Sequence, residues 1–178
     1  HHEVKKLAAD GRKIIIIGDH GHDEVVAIAN QVKGSIIIST PIEASNLKKM
    51  KKAGVVSQST QMIENVQAIV NILMEKVFDL HFVNTICYPT KRNHEQIKLL
   101  AVENEVMIII GSFTSANSKR LAELSIERNP NSYQVTCAED LDKLWFKNKK
   151  SVGISAGAST PDYLIEEVKI KIQEYSRN

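Results

Sequence analysis

The sequence has little cysteine, proline or aromatic side chain, and these shortages exclude several classes of protein. Its 178 residues include 2 cysteines, 4 prolines and 5% aromatic residues. Two cysteines without a C-x-x-C spacing do not form the disulfide framework of a small secreted domain, so we expect reduced thiols and a cytoplasmic location. The formal net charge is only +2. The chain therefore lacks both the basic field and the stacking platforms of a nucleic-acid-binding protein, and we expect no nucleic-acid partner.

Long hydrophobic runs are also missing. The longest apolar stretches, such as IIII at 14–17 and VMIII at 106–110, fall far short of the ~20 residues that a transmembrane helix requires. We therefore expect no membrane partner. The composition is otherwise that of a globular protein, 43% hydrophobic and 25% charged. This is enough apolar material for one large domain or two small ones.

Short apolar runs that are rich in β-branched residues predict buried strands. They are KIIIIG, SIIIS, GVVSQ, LHFVNTI, EVMIIIGS, SYQVTC and SVGIS. Stretches with helical spacing separate them, including TQMIENVQAIVNILMEKV and AEDLDKLWF. This alternation predicts an α/β fold with parallel sheets flanked by helices. We place a boundary after the long helix that ends near Val77, which gives two similar doubly wound modules, residues 1–78 and 79–178.

The loops that follow the strands are the candidate sites, because ligands of doubly wound folds bind at the carboxyl ends of the strands. In IGDHGHDEV, His22 and Glu24 place an imidazole and a carboxylate at the start of a helix. This pair suits the binding of an anion and the transfer of a proton, or it merely complements the helix dipole. In VVSQSTQMIENV, Gln58, Ser59 and Thr60 supply amide and hydroxyl groups, which any capped helix would also show.

Two further loops, GSFTSANSKRL and ISAGASTPD, are rich in hydroxyl and amide side chains. Each leads into a helix, where backbone N–H groups and the dipole favour phosphate. Neither contains a P-loop and no G-x-G-x-x-G follows a strand, so ATP and dinucleotides are not favoured. Cys87, in NTICYPT, is a candidate nucleophile or soft metal ligand, or else a buried small hydrophobic residue. Cys137 has no polar cluster around it and is assigned to packing.

NTIC, SANSKRL and ISAGASTPD, in this order and spacing, resemble the LytB/IspH family over essentially the whole chain. These are the 4-hydroxy-3-methylbut-2-enyl diphosphate reductases of non-mevalonate isoprenoid biosynthesis. The resemblance implies an iron–sulfur oxidoreductase that removes the hydroxyl group of an allylic diphosphate and gives isopentenyl and dimethylallyl diphosphate. It also implies a [4Fe-4S] cluster held by three cysteines, of which Cys87 would be the third, and an electron donor of the ferredoxin or flavodoxin type.

The same resemblance implies roles for individual residues. His22 would contact the diphosphate, and Glu24 would deliver protons to the departing hydroxyl group. Ser59 stands where the family has a threonine that helps this proton relay, and the adjacent Thr60 is the alternative. Thr90 would lie close to the substrate. The diphosphate oxygens would be bound by Ser115, Asn117 and Ser159.

The sequence departs from the family in two places. Ala116 stands where some members carry a serine, and we expect this change to cost one hydrogen bond to the diphosphate. The resemblance implies a further N-terminal domain that contains the first cluster cysteine, with the second cysteine shortly before a V-H-x-x-V segment. HHEV, at the start of the printed chain, resembles the end of that segment. We therefore expect His1 and His2 to be native and the printed chain to be a fragment. One thiolate does not retain a cubane cluster, so we expect this fragment alone to be inactive.

Other functional classes fit the residues as well. The main alternative is a non-redox α/β module that binds a phosphorylated metabolite through the hydroxyl-rich loops. A third is an interaction domain with an exposed apolar surface.

Overall fold

Parallel strands alternate with helices along the chain, which confirms the predicted α/β class. The computed structural model describes residues 2–177, and the chain divides between Cys87 and Tyr88 into two compact units. Each unit has its own parallel sheet with helices beside it. No helix within residues 2–177 is both long enough and apolar enough to cross a membrane.

The first unit contains a four-stranded parallel sheet with the strand order β2-β1-β3-β4. Its elements are α1 (His2–Ala9), β1 (Lys13–Ile17), α2 (Asp23–Ala29), β2 (Ile36–Ile38), α3 (Pro41–Ser45), β3 (Met50–Ser57), α4 (Ile63–Lys76) and β4 (Val77–Val83). Helix α3, which was not predicted from the sequence, is short and is capped by Thr40, whose hydroxyl oxygen accepts the N–H of Glu43 at 3.3 Å.

The apolar run of β1 is buried on both sides of the first sheet. Ile15 and Ile17 pack on one face with α4, while Ile14 and Ile16 pack on the other with α1 and α2. This burial on two faces explains why the strand reads as continuous isoleucine rather than as an alternating pattern. Each fully buried aliphatic side chain contributes about 1.5–3 kcal/mol, so β1 holds the helices of both faces in place.

The second unit contains a three-stranded parallel sheet with the order β6-β5-β7. Its elements are α5 (Tyr88–Glu103), β5 (Val106–Ile110), α6 (Ala116–Ile126), β6 (Ser132–Val135), β7 (Val152–Ala156) and α7 (Asp162–Arg177), with two 3₁₀ turns, Ala138–Asp140 and Lys143–Phe146, before β7. AEDLDKLWF was predicted as one helix. Leu141 instead has extended backbone, and Asp142 caps the second turn by accepting the N–H of Leu144 at 2.8 Å.

Strand β4 corrects the predicted boundary between the modules. Its segment was expected to open the second module, after residue 78. The strand instead pairs in parallel with β3, from Met50↔Val77 to Val56↔Val83, and α4, which ends at Lys76, is the helix that connects these two strands. The first unit therefore keeps four strands and includes Cys87.

The two units share one plan at the carboxyl edges of their sheets. Strand β1 lies between β2 and β3, and β5 lies between β6 and β7. In each sheet the next two strands along the chain are thus added on opposite sides of the central strand, so the strand order reverses there. The N–H of Gly18 donates to Ile38 and the N–H of Gly111 donates to Val135, each at 2.9 Å. The N–H groups of Gln58 and Gly157 likewise donate to the last residue of the central strand. Each unit thus has a topological switch point, the usual ligand position in such sheets.

Candidate functional site

The two loops at the switch point of the first unit are held together by Gln58. This side chain is completely buried at the end of β3. Its Oε1 accepts the N–H of Asp19 at 2.9 Å, and its Nε2 donates to the hydroxyl of Thr60 at 3.0 Å. One amide therefore joins the loop after β1 to the loop after β3. Gln58 is visible in the sequence as a polar side chain directly after an apolar strand, but its clamping role was not predicted.

Glu24 contacts the second loop through Ser59. The glutamate lies in the first turn of α2, and its side chain is half-buried. Its Oε1 accepts the N–H of Ser59 at 2.8 Å, and its Oε2 accepts the hydroxyl at 2.9 Å. Because one residue contacts both oxygens, the carboxyl group of Glu24 is held in one orientation. The hydroxyl oxygen of Thr60 instead accepts a hydrogen bond from the amide of Gln58. Of the two relay candidates, Ser59 is therefore the one that contacts Glu24.

His22 is the N-cap of α2. Its Nδ1 accepts the N–H of Glu24 at 3.2 Å, so in this arrangement the ring proton lies on Nε2. The ring therefore caps the helix with one nitrogen and keeps an N–H donor on the other. His20 is directed elsewhere, with Nε2 lying 2.7 Å from Oε2 of Glu43. His20, followed by the N–H of Ser39, holds the pKa of Glu43 below its ordinary value.

Cys87 lies beside Ser59. Its N–H donates to the carbonyl oxygen of Ser59 at 3.0 Å, and its thiol lies 3.4 Å from the same oxygen. The segment before it is fixed by Thr85, whose hydroxyl oxygen accepts the N–H of Ser57 at 2.8 Å. Cys87 is exposed, so the buried-hydrophobic interpretation does not apply. Glu24, Ser59 and Cys87 form one continuous line of contacts.

The donor set around Cys87 is compatible with an iron–sulfur ligand but does not make a complete site. The thiol is exposed and forms no disulfide, and thiolate sulfur is a ligand that iron–sulfur clusters bind. Within residues 2–177 no group of three or more His, Cys, Asp or Glu side chains is placed to hold a metal ion. Cys137 lies in the second unit, after β6.

The switch point of the second unit brings Ser115, Asn117 and Ser159 to one edge of its sheet. Ser115 caps α6 by accepting the N–H of Ser118 at 3.4 Å. Asn117 lies in the same first turn, and its Oδ1 is buried without a hydrogen-bond partner within the described residues. Ser159 is exposed in the loop that leads to α7. Polar groups thus surround a helix N-terminus, an arrangement that favours anions.

Two glycines let these loops approach each other closely. A Cβ atom at Gly111 would lie 2.2 Å from Oγ of Ser118, and one at Gly157 would lie 2.5 Å from the same atom. The buried hydroxymethyl group of Ser118 therefore fills the space that side chains would need. The sequence analysis did not single out Ser118, because its role depends on two glycines from different loops.

Two of the remaining predicted residues also lie in the second unit. Thr90 is buried in the first turn of α5, and Ala116 is the first residue of α6. Helix α5 leads into the amino end of β5, so its own first turn faces the carboxyl end of the sheet. Ala116 carries no hydroxyl group there, as the sequence shows.

Comparisons with known proteins identify the family to which the chain is related. The model of the LytB protein family matches residues 1–173. The 4-hydroxy-3-methylbut-2-enyl diphosphate reductase of Geobacter sulfurreducens is 42% identical over 173 residues, which cover 97% of this chain and 61% of that protein. The same reductase of Aquifex aeolicus is 39% identical, with 98% and 62% covered.

Solved structures of the same enzyme are also similar. An (E)-4-hydroxy-3-methyl-but-2-enyl diphosphate reductase, described as the terminal enzyme of the non-mevalonate pathway, is 39% identical with a TM-score of 0.56, covering 98% of this chain and 63% of that one. The Plasmodium falciparum E-1-hydroxy-2-methyl-but-2-enyl-4-diphosphate reductase is 26% identical with a TM-score of 0.84, covering 96% and 57%. The chain thus spans about three fifths of the length of the curated relatives above. It belongs to the LytB protein family.

Proposed function

We propose that the protein forms part of an iron–sulfur reductase that converts 4-hydroxy-3-methylbut-2-enyl diphosphate into isopentenyl and dimethylallyl diphosphate. The line of contacts from Glu24 through Ser59 to Cys87 is the observation that carries this proposal. It places an acid–base group beside a thiol that suits a metal. The reductase names of the relatives support the same substrate.

The reaction replaces a hydroxyl group by hydrogen. The carbon–oxygen bond breaks, the oxygen leaves as water, and the organic product gains a proton and an electron pair. Two electrons and two protons are therefore consumed. A [4Fe-4S] cluster, when bound, supplies the electrons, and a ferredoxin- or flavodoxin-type donor would restore them.

The residues of this chain supply the protons and the positioning. Glu24 would give its proton to the departing hydroxyl group, with the hydroxyl of Ser59 as the neighbour that holds or passes it. His22 would donate Nε2–H to a diphosphate oxygen. Ser115, Asn117 and Ser159 would bind the diphosphate with neutral groups and a helix N-terminus.

Cys87 would supply one thiolate ligand to the cluster. Further ligands would come from outside the described residues. The N–H and the thiol of Cys87 both contact the carbonyl oxygen of Ser59. The loop that contains Ser59 would therefore position both the metal ligand and the proton relay. A cytoplasmic location is part of the proposal, and the absence of a disulfide between Cys87 and Cys137 is compatible with it.

The test uses the complete protein, purified and reconstituted with iron and sulfide without oxygen. EPR spectra of the reduced protein are recorded with and without the allylic diphosphate. A cluster signal that the substrate perturbs, present in Cys137→Ser but absent in Cys87→Ser, is expected. A folded protein that gains no cluster, and that binds the diphosphate equally well with and without Cys87, would favour the non-redox phosphometabolite-binding module.

A further inference from the structure

The second unit contains a cavity of about 620 Å³ that the proposed reaction does not use. One wall is the segment from Lys143 to Lys150, which contains the second 3₁₀ turn. The other walls are the start of β7, at Val152, and the last part of α7, including Ile172. This volume lies within the range of about 300–1,000 Å³ that is usual for small-molecule sites.

The rim of the cavity is positively charged. Lys143, Lys147, Lys149 and Lys150 line it, and no aspartate or glutamate does. None of these four lysines forms an ion pair with another described residue. The whole chain carries 23 basic and 21 acidic residues, so the charge is concentrated locally. Such a concave cationic surface attracts an anion.

The floor of the cavity is apolar and already ordered. Phe146, Val152 and Ile172 belong to the lining. The ring of Phe146 lies 5.9 Å from that of Tyr175 and 6.4 Å from that of Trp145, measured between centroids. Trp145 in turn is stacked on Tyr133 at 4.0 Å. This aromatic row holds the wall against the sheet, so a ligand would not have to order it.

The cavity lies at the end of the sheet opposite the switch point. Val152 begins β7, whereas Ser159 follows its end. At ~3.3 Å per residue the five residues of β7 separate the two edges by about 13 Å. A molecule in this cavity would therefore not touch Ser115, Asn117 or Ser159.

We propose that this lysine-rimmed cavity is a second binding site, for an anionic amphiphile with an apolar chain and a phosphate or carboxylate head. The chain lies on Phe146, Val152 and Ile172, and the lysines bind the head. The lysine stems extend the apolar surface, while their ammonium groups stay at the rim. Prenyl diphosphates and fatty acids share this chemistry, and the experiment separates them.

Binding is measured by the fluorescence change of Trp145 in the complete protein, and Trp145→Phe identifies the part of the signal that belongs to this residue. Farnesyl diphosphate and dodecanoate, below their critical micelle concentrations, are the two amphiphiles. Farnesol lacks the charge and inorganic diphosphate lacks the chain. Lys147→Glu/Lys149→Glu changes the rim, and Lys48→Glu/Lys49→Glu, an exposed pair in the first unit, is the matched control.

We expect saturable binding of at least one amphiphile, weakened about tenfold or more by the rim variant and unchanged by the control. The amphiphile that binds with the lower dissociation constant shows whether the site prefers a diphosphate or a carboxylate head group. Leu144→Ser, at an exposed lining position, should weaken the amphiphile but not inorganic diphosphate. The proposal is overturned if neither amphiphile saturates, if the rim variant binds normally, or if inorganic diphosphate binds as tightly as farnesyl diphosphate.

Discussion

The carboxylate of Glu24 accepts two hydrogen bonds from Ser59, one from the backbone N–H at 2.8 Å and one from the hydroxyl at 2.9 Å. The two residues come from different loops and meet at the switch point of the first unit. A substitution at position 59 by any residue other than proline keeps the backbone N–H donor, whereas only serine and threonine keep the hydroxyl. A substitution at position 59 can therefore remove the hydroxyl group that would transfer a proton while the backbone N–H continues to position Glu24.

Ser59→Ala should therefore lower the reductase activity of the complete protein by about 10–100-fold, because the relay hydroxyl is lost while Glu24 stays in place. Ser59→Thr keeps the hydroxyl and should be close to the parent. Thr60→Ser is the control, since it changes the neighbouring side chain but keeps the hydroxyl that accepts the Gln58 amide N–H. The measurement is kcat and its pH profile under anaerobic conditions. Full activity of Ser59→Ala would remove the serine from the relay.

Replacement of Gln58 should loosen the two loops of the first unit. Gln58→Met keeps a similar size but removes the amide oxygen that accepts the part-buried N–H of Asp19 and the amide N–H that donates to Thr60, at a cost of about 1–3 kcal/mol in the free energy of unfolding. Gln58→Glu keeps an acceptor for the N–H of Asp19 but places an ionisable group at a fully buried position, so the local exchange rate at Asp19, rather than the global stability, distinguishes the two variants. Urea unfolding measures the stability, and hydrogen exchange at Asp19 should accelerate more in the methionine variant. Equal exchange rates in all three proteins would contradict the clamp.

Gly157→Ala should destabilise the second unit, because the new Cβ atom would lie 2.5 Å from Oγ of Ser118. The expected cost is about 1–3 kcal/mol, typical of overpacking. Gly157→Ala/Ser118→Ala removes the clashing oxygen and should recover most of this loss. Urea unfolding followed by Trp145 fluorescence reports on the second unit. Purely additive effects of the two substitutions would show that the clash is relieved elsewhere.

Arg12 and Asp79 should make the first unit sensitive to acid. The guanidinium donates to both carboxylate oxygens of Asp79, at 2.9 and 3.2 Å, and lowers the pKa of that carboxyl group below its ordinary value. A lowered pKa in the folded state means that the unfolded state binds the proton first. The stabilisation is therefore present above about pH 4 and is lost as the pH falls through the folded-state pKa.

Asp79→Asn should flatten this acid dependence, measured as the urea midpoint between about pH 5 and pH 2. Arg12→Met should flatten it at least as much, because Arg12 also binds Asp10, and Lys52 and then Arg12 lower the pKa of Asp10. In the background of Arg12→Met, the further change Asp79→Asn should add little. An unchanged slope in Asp79→Asn would show that the ion pair does not form in solution.

The sequence by itself determined the parts of this protein that depend on neighbouring residues. Continuous isoleucine at 14–17 predicted a strand covered on both faces, and the structure has it. Helical spacing in TQMIENVQAIVNILMEKV predicted α4. The motifs NTIC, SANSKRL and ISAGASTPD identified the family, because each is a local pattern. Loops that follow strands are likewise recognisable from alternation, so His22 and Glu24 were found as candidates, whereas Ser115 was singled out by the resemblance to the family.

Only the tertiary structure decided which of these parts meet. The pairing of β4 with β3 moved Cys87 into the first unit, and no local pattern specifies a partner strand. The choice of Ser59 over Thr60 as the partner of Glu24 depends on how two loops approach each other. Hydrogen bonds between residues far apart in the chain follow from strand register and sheet order, and local patterns do not contain that information.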